Sequence, residues 1–199
     1  MASIKDRKEQ LRKQFQANRL KLSSEARRVQ SAAVCDSIRA MPELQETATV
    51  HLYWPLLDRG ELDTRPLIDH LSERGHQIAL PKIDLSTSRK TGVPSMTHLL
   101  YSGKHNLAKN EWGVMEPQNA QQLSDDDIDA VVVPAFGAGR NRHRIGHGHG
   151  YYDAFLSRLS ALTICPVFEN CLVDEVPAEP HDVPLDVVVT PSEKIMVTA

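Results

Sequence analysis

Between Ile4 and Met41 the apolar positions are Ile4, Leu11, Phe15, Leu20 and Leu22, then Val29, Ala33, Val34, Ile38 and Met41. Steps of mostly three, four and seven predict two helices, broken near "KLSSEA". Ser23 or Ser24 suits the N-cap of the second, with Glu25 in its first turn. The period then changes. "ATVHLYW" (48–54) reads as a strand, "TRPLIDHLSERG" (64–75) as an amphipathic helix stopped by Gly75, and "HQIALPKI" (76–83) as a strand. Residues 84–128 read as polar and irregular, with "MTHLLYS" a candidate strand inside them. "DAVVVPAF" (129–136) is a continuous apolar run, as a strand buried on both faces requires. "YYDAFLSRLS" (151–160) reads as a helix, "LTICPVF" (162–168) as a strand and "LDVVVTP" (185–191) as the final strand. Strands alternating with helices predict an α/β fold with a largely parallel sheet.

The richest chemistry lies between the 129–136 strand and the 151–160 helix. "GAGRNRHRIGHGHG" joins them beyond a strand's carboxyl end, where ligands bind in open α/β sheets. Gly146, Gly148 and Gly150 let the backbone approach an anion closely, and the helix start offers free N–H groups. Arg140, Arg142 and Arg144 supply planar donors for phosphate or carboxylate, and Asp153 stands ready for a divalent cation beside them. On spacing alone three readings stand: a phosphate cradle, a metal site on His147 and His149 with His143 near, or a plain glycine turn. The missing second cluster of soft ligands weighs against the metal site.

Composition narrows the classes. The 199 residues carry a formal net charge of −3, which gives no basic field for nucleic acid. No apolar run approaches the ~20 residues of a membrane span. "MASIKDRKEQLRKQF" lacks the apolar centre of a secretory signal. Cys35, Cys165 and Cys171 have neither disulfide nor zinc-ribbon spacing, so a cytoplasmic compartment is expected, with an organelle as the alternative. There is no GxSxG elbow, and Cys35 falls on an apolar helical stripe, so no nucleophile is indicated.

Other segments carry two readings each. Lys8 and Arg12 share one helix face, either a solvated basic face or an anion contact. Tyr53, Trp54 and Glu61 follow a strand end; Glu61 either accepts hydrogen bonds from a polar heterocycle or, with Asp63, merely opens the next helix. Trp112 is either a satellite core residue or a stacking surface. His181 and Asp182 precede the last strand in what turn chemistry alone also explains, and "DDDID" (125–129) reads as a solvated strand entry.

In this order the segments resemble the 5-formyltetrahydrofolate cyclo-ligases, also called methenyltetrahydrofolate synthetases. The likeness runs through "KEQLRK", "LSSEARRVQSAAVCDSI", "ELDT", "ALP", "WGVMEP", "IDAVVVPAF", "RIGHGHGYYDAFL" and "VPAEPHDVPLDVVVT". Its most specific part is R-[LI]-G-x-G-x-G-Y-Y-D, filled by Arg144, Gly146, Gly148, Gly150, Tyr151, Tyr152 and Asp153. The resemblance implies one three-layer α/β/α domain over 1–199, with N-terminal helices in 1–45 and the sheet core and ligand site in 46–199. It implies ATP as co-substrate, Mg²⁺, and a reduced folate, polyglutamylated or not, as substrate of a monomer with neither nucleic-acid nor membrane partner. Lys8, Arg12, Arg144, Ile145, Gly146, His147, Gly148, His149, Gly150, Tyr151 and Tyr152 would hold ATP, Arg144 and Tyr152 sitting at the reacting groups. Trp54, Glu61, Trp112 and Tyr152 would face the folate, and Asp153 and Asp182 would hold Mg²⁺. The implied reaction converts 5-formyltetrahydrofolate and ATP to 5,10-methenyltetrahydrofolate, ADP and phosphate.

The chain departs from the family pattern where Gly137 replaces an aspartate, where the following turn is about two residues longer, and where Cys171 stands for a glutamine. The interval from Tyr53 to Glu61 is also expanded. These changes are expected near the ligand, and they raise a second reading: a catalytically silent relative that binds folate or nucleotide as a regulator. A third, an RNA-associated protein using "GRNRHR", is opposed by the net charge and by the lack of any RNA-binding module.

Overall fold

A computed structural model describes residues 3–110 and 113–197. The chain opens with α1 (Ile4–Lys21), capped by Ser3 in a reciprocal box with Asp6, and α2 (Ser24–Arg39), whose cap is Ser23 accepting from the Ala26 amide. After α3 (Pro42–Gln45) come β1 (Thr49–His51), α4 (Arg65–Glu73) and β2 (Gln77–Ile83). Gly75, at φ +91°, turns the chain out of α4. The stretch expected to be irregular is ordered: α5 (Leu85–Thr91), β3 (Met96–Leu100), β4 (Leu107–Lys109), β5 (Met115–Pro117) and β6 (Gln122–Leu123). Next are β7 (Ala130–Val132), β8 (Gly137–Gly139), β9 (Arg144–Ile145), α6 (Tyr151–Leu156), β10 (Leu162–Pro166), β11 (Leu172–Val173), β12 (Val187–Val189) and β13 (Lys194–Met196). The strand expected to be last is therefore followed by another, which pairs antiparallel with it.

The main sheet runs β13-β12-β10-β7-β1-β2-β3-β6, parallel from β12 through β2 and antiparallel at both edges. Alternate side chains of the valine-rich strands feed two cores. Val50, Ala130, Val132, Ile164, Val187 and Val189 pack with Phe15 of α1, Ile38 of α2 and Leu67 of α4. Val131, Val133, Cys165 and Val188 pack with Phe155 and Leu156 of α6. Both faces of the central strands are thus covered, giving helix, sheet and helix layers. Asp129 joins two strand starts, accepting from the Ala48 and Thr49 amides at 2.8 Å each.

From β1 the chain passes to β2 on one side, and it later enters β7 on the other side of β1. The topological switch point lies between β1 and β7, where the strand order opens a crevice at the carboxyl ends. Everything of chemical interest after these two strands, from Tyr53 to Glu61 and from Pro134 to Asp153, leaves the sheet there.

Candidate active site

A cleft of about 1080 Å³ occupies that crevice. It slightly exceeds the usual range of roughly 300–1,000 Å³ for a small-molecule site. Lys8, Arg12, Trp54, Glu61, the whole run Arg144–Asp153, and Asp182 line it. Of the residues that the family resemblance assigned to ligand binding, only Trp112 is missing from this group, and it lies outside the described residues.

The glycine loop is built by constraint from both sides. Gly148 has φ +86° and a Cβ there would sit 3.1 Å from Arg12 Nη2, so the position demands glycine twice over. Gly150, at φ +74°, starts α6 with no side-chain cap. Gly146 differs: a Cβ would meet nothing within 4 Å, because the position faces open space. Arg12 reaches from α1 to donate Nε–H to the Gly146 carbonyl at 2.9 Å. Arg144, only 5% exposed at its side chain, donates to Asp153 Oδ1 at 2.9 Å and to the Val183 carbonyl at 3.3 Å. Asp153 also accepts from the Val183 amide at 3.3 Å, which ties the start of α6 to the segment before β12. α6 itself is only six residues, shorter than the expected 151–160, and its first internal bond runs from the Ala154 amide to Gly150 at 2.9 Å. The amides of Tyr151, Tyr152 and Asp153 precede that bond and have no partner within the helix.

Tyr152 lines the cleft, and its buried hydroxyl has no hydrogen-bond partner. Burial first, then the Glu61 carboxylate, push its pKa far above the ordinary phenol range, so the hydroxyl keeps its proton and serves as an O–H donor. Beneath it lie His51 and His98, both buried; the His51 ring sits 5.0 Å from His98, 5.2 Å from Phe155 and 6.0 Å from Tyr152. Glu61 does not open α4. Its Oε2 accepts the Leu56 amide at 2.8 Å, while Oε1 lies 3.6 Å from His147 Nε2. The His147 ring packs on Phe136 at 4.6 Å, and the Arg19 guanidinium lies 5.0 Å from the Phe136 ring centre. Tyr53 belongs to the core and also lines the cleft, while half-buried Trp54 packs 6.0 Å from Tyr101.

The acidic turn before β12 is held by α1. Lys8 Nζ donates to Glu179 Oε2 at 2.7 Å and to Asp182 Oδ2. Burial opposes charge on both partners, yet the paired bonds outweigh it: Lys8 is held above the ordinary lysine range and Asp182 below the carboxylate range. Among the described residues, Glu179, His181 and Asp182 form the one group whose ligand atoms lie within 4.8 Å of one another; Asp153 stands outside it, and no such group includes His147 or His149.

Several sequence expectations are corrected here. Arg140 pairs with Glu193 at 2.7 and 2.8 Å, and Arg142 bonds the Leu185 carbonyl from a left-handed backbone of φ +63°, so neither lines the cleft; Arg144 alone of the three does. Gly137 and Cys171 do not line the cleft. A Cβ on Gly137 would fall 2.5 Å from both the Cys171 carbonyl and the Phe15 ring, so the two departures are one packing arrangement under α1. Burial pushes the thiols of Cys35 and Cys165 up to about 12 and of Cys171 to about 11, in line with the lack of a cysteine nucleophile. Sequence reasoning missed the apolar wall of Ile83, Leu85, Met96 and Val114, and also Glu116 and Glu179. Glu179 stood three residues before the named Asp182, and Glu116 stood within "WGVMEP".

Comparison with known proteins agrees with this architecture. The family model of the 5-formyltetrahydrofolate cyclo-ligase family matches residues 4–191. A probable 5-formyltetrahydrofolate cyclo-ligase of Schizosaccharomyces pombe is 28% identical, covering 95% of this chain and 97% of its own. The 5-formyltetrahydrofolate cyclo-ligase of Mycolicibacterium smegmatis is 33% identical over 74% of this chain and 76% of its own. The solved 5,10-methenyltetrahydrofolate synthetase of Aquifex aeolicus superposes with a TM-score of 0.83 at 27% identity, covering 96% of this chain and 93% of that one. With the glycine loop, the switch-point cleft and near-complete coverage in agreement, the chain belongs to the 5-formyltetrahydrofolate cyclo-ligase family.

Proposed function

We propose that the protein is a monomeric, single-unit enzyme that converts 5-formyltetrahydrofolate and ATP to 5,10-methenyltetrahydrofolate, ADP and phosphate. The observation that carries this reading is the division of one cleft into two kinds of wall. One is polar: Arg12, Arg144 and the Gly146–Gly150 loop, suited to phosphates. The other is built of apolar side chains from β2, α5 and β3 and, with the Glu61 carboxylate that stands 3.6 Å from His147 of the loop, suits a heterocycle with polar edges.

The formamide carbon is a poor electrophile because its nitrogen donates into the carbonyl. Transfer of the γ-phosphoryl group to the formyl oxygen, with departure of ADP, makes that oxygen a leaving group. N10 then attacks the same carbon and loses its proton, and the C–O bond breaks to release phosphate. The protein has to align oxygen and phosphorus and to exclude water, which requires no side-chain nucleophile. Arg144, locked by Asp153 and Val183, faces the spreading negative charge with a fixed guanidinium. The buried Tyr152 hydroxyl, lacking a protein partner, donates to an oxygen of the reacting groups. Glu61 Oε1 accepts from the heterocycle. The donor set of the acidic turn is hard carboxylate oxygen with one imidazole, which suits Mg²⁺. Asp182 and Asp153 would hold the ion, which when bound neutralises charge on the phosphates.

The test mixes purified protein with Mg²⁺, ATP and 5-formyltetrahydrofolate and follows the near-ultraviolet absorbance of the methenyl product. ATP-dependent growth of that band, lost in Asp153→Ala, is expected. A folded protein that binds ATP and yields no band would sink the enzymatic reading in favour of a silent binder.

A further inference from the structure

Lys8 offers the most unusual electrostatic arrangement in the cleft. Its ammonium, 13% exposed at the side chain, is a full positive charge seated between the Glu179 and Asp182 carboxylates, themselves 35% and 17% exposed. One tight turn holds the two acids side by side: the Asp182 amide donates to the Glu179 carbonyl at 2.9 Å, and Asp182 Oδ2 accepts the Glu179 amide at 2.6 Å. Two carboxylates fixed this way need a cation between them, because without one their charges repel in a partly desolvated site. Lys8 supplies it from a helix more than a hundred residues away in sequence, on a flexible four-carbon stem. The same two carboxylates, with His181, are the described residues whose ligand atoms converge within 4.8 Å.

We propose that Lys8 is the internal counter-cation of this turn, that Glu179 belongs with Asp182 to the divalent-cation site, and that metal entry is an exchange with Lys8 rather than an addition. The inference rests on the proposed use of a divalent cation with the nucleotide. Free metal ion then binds weakly, since it must evict an ammonium already paired to both oxygens. A metal–nucleotide complex binds well, since it gives the displaced ammonium a phosphate to pair with inside the same cleft, where Lys8, Arg12 and the glycine loop face one another. The device makes the protein select metal and nucleotide together and ignore the metal alone.

The experiment titrates Mn²⁺ into the full-length protein, with neither nucleotide nor folate, and reads free Mn²⁺ by its electron paramagnetic resonance signal. Lys8→Met is expected to bind Mn²⁺ roughly tenfold tighter than wild type, as removal of a competing occupant of the site requires. Lys8→Arg, which keeps the charge, is expected to stay near wild type. Adding Glu179→Gln to Lys8→Met is expected to cancel the gain. Lys8→Met binding no tighter than wild type, or indifference to Glu179→Gln in that background, overturns the proposal. Should Lys8→Met be too unstable to titrate, its thermal midpoint is expected to rise more with Mn²⁺ than that of wild type; an equal rise counts against the exchange. The two readings fail separately. Product formation by wild type with no gain in Lys8→Met sinks the exchange alone. Mn²⁺ binding unaffected by Asp182→Asn in the Lys8→Met background removes the cation from this turn and overturns the exchange, while absence of product from wild type overturns the enzymatic reading.

Discussion

Two sets of residues line the same cleft, and they could hardly differ more as sequence. Residues 144–153 are a contiguous run of arginine, glycine, histidine and tyrosine. Ile83, Leu85, Met96 and Val114 come one at a time from a strand end, a short helix, another strand and a hairpin turn. The first wall is chemically legible because positive φ, close backbone approach and fixed charge each admit few residue types. The second is illegible because an aliphatic side chain facing a ligand has the same composition as one facing a core. One wall therefore encodes its chemistry locally and the other only through the fold. Substitutions on the two walls should accordingly fail in different ways.

The largest contrast lies within the polar wall itself. Gly148→Ala forces a left-handed alanine against Arg12 and is expected to destabilise the fold by about 1–2 kcal/mol in chemical denaturation. Gly146→Ala meets no neighbour and has an ordinary φ, so its stability should stay within about 0.5 kcal/mol of wild type. Its methyl group nevertheless enters the space assigned to phosphate, and the KM for ATP should rise about tenfold or more. An unchanged KM for ATP in Gly146→Ala would remove the phosphate from the loop, whatever Gly148→Ala does.

A second test probes what supports that wall. α6 stands on a buried histidine pair. Burial, with a smaller contribution from His98, holds His51 well below the ordinary imidazole range. Burial also lowers His98, against the pull of Asp125 at 3.1 Å and with a push from Arg158. A group neutral in the folded state and ordinary in the unfolded one contributes fully above the unfolded value near 6.5. That contribution is lost as pH falls below it, at up to about 1.4 kcal/mol per pH unit for each such group. Unfolding free energy should therefore drop between pH 7 and pH 5, and His51→Leu should flatten the slope. An unchanged slope in His51→Leu would assign the acid sensitivity to His98 instead, since Asp182, held below the ordinary carboxylate range, loses its contribution only below about pH 4.

How far the fold could be read in advance follows the same division. The helix break at Ser23, the stop at Gly75 and the buried run at 130–132 were legible because capping, φ > 0 and two-sided burial each leave a local mark. The β4–β5 hairpin was not. Its residues run from exposed Ala108 and Lys109 to buried Glu116 and Pro117 without alternation, and its pairing of Leu107 with Pro117 is set across a loop that carries no periodic signal. β13 was missed because "KIM" is too short to show alternation. In the site, the charged residues were found as members of a motif, but their partners were not: Arg140 and Arg142 looked like Arg144 until Glu193 and the Leu185 carbonyl claimed them. Which arginine faces the ligand is decided by long-range pairing, and sequence spacing does not carry that.

The smallest expected effect falls on the illegible wall, and it is the most discriminating. Ile83 closes β2 at the edge of the cleft and is only half-buried, so Ile83→Ala removes little from the core. The side chain loses about three carbons, of which those touching a bound heterocycle are worth about 1 kcal/mol at the usual price per unit of buried apolar area. That predicts a rise of about fivefold in the KM for 5-formyltetrahydrofolate with the KM for ATP unchanged. The two walls bind different partners only if the two constants separate in this way. A matched rise in both would mean that Ile83→Ala loosens the cleft as a whole. A rise for ATP alone would exchange the roles of the walls, placing the nucleotide base on the aliphatic side and leaving Glu61 without the heterocycle assigned to it.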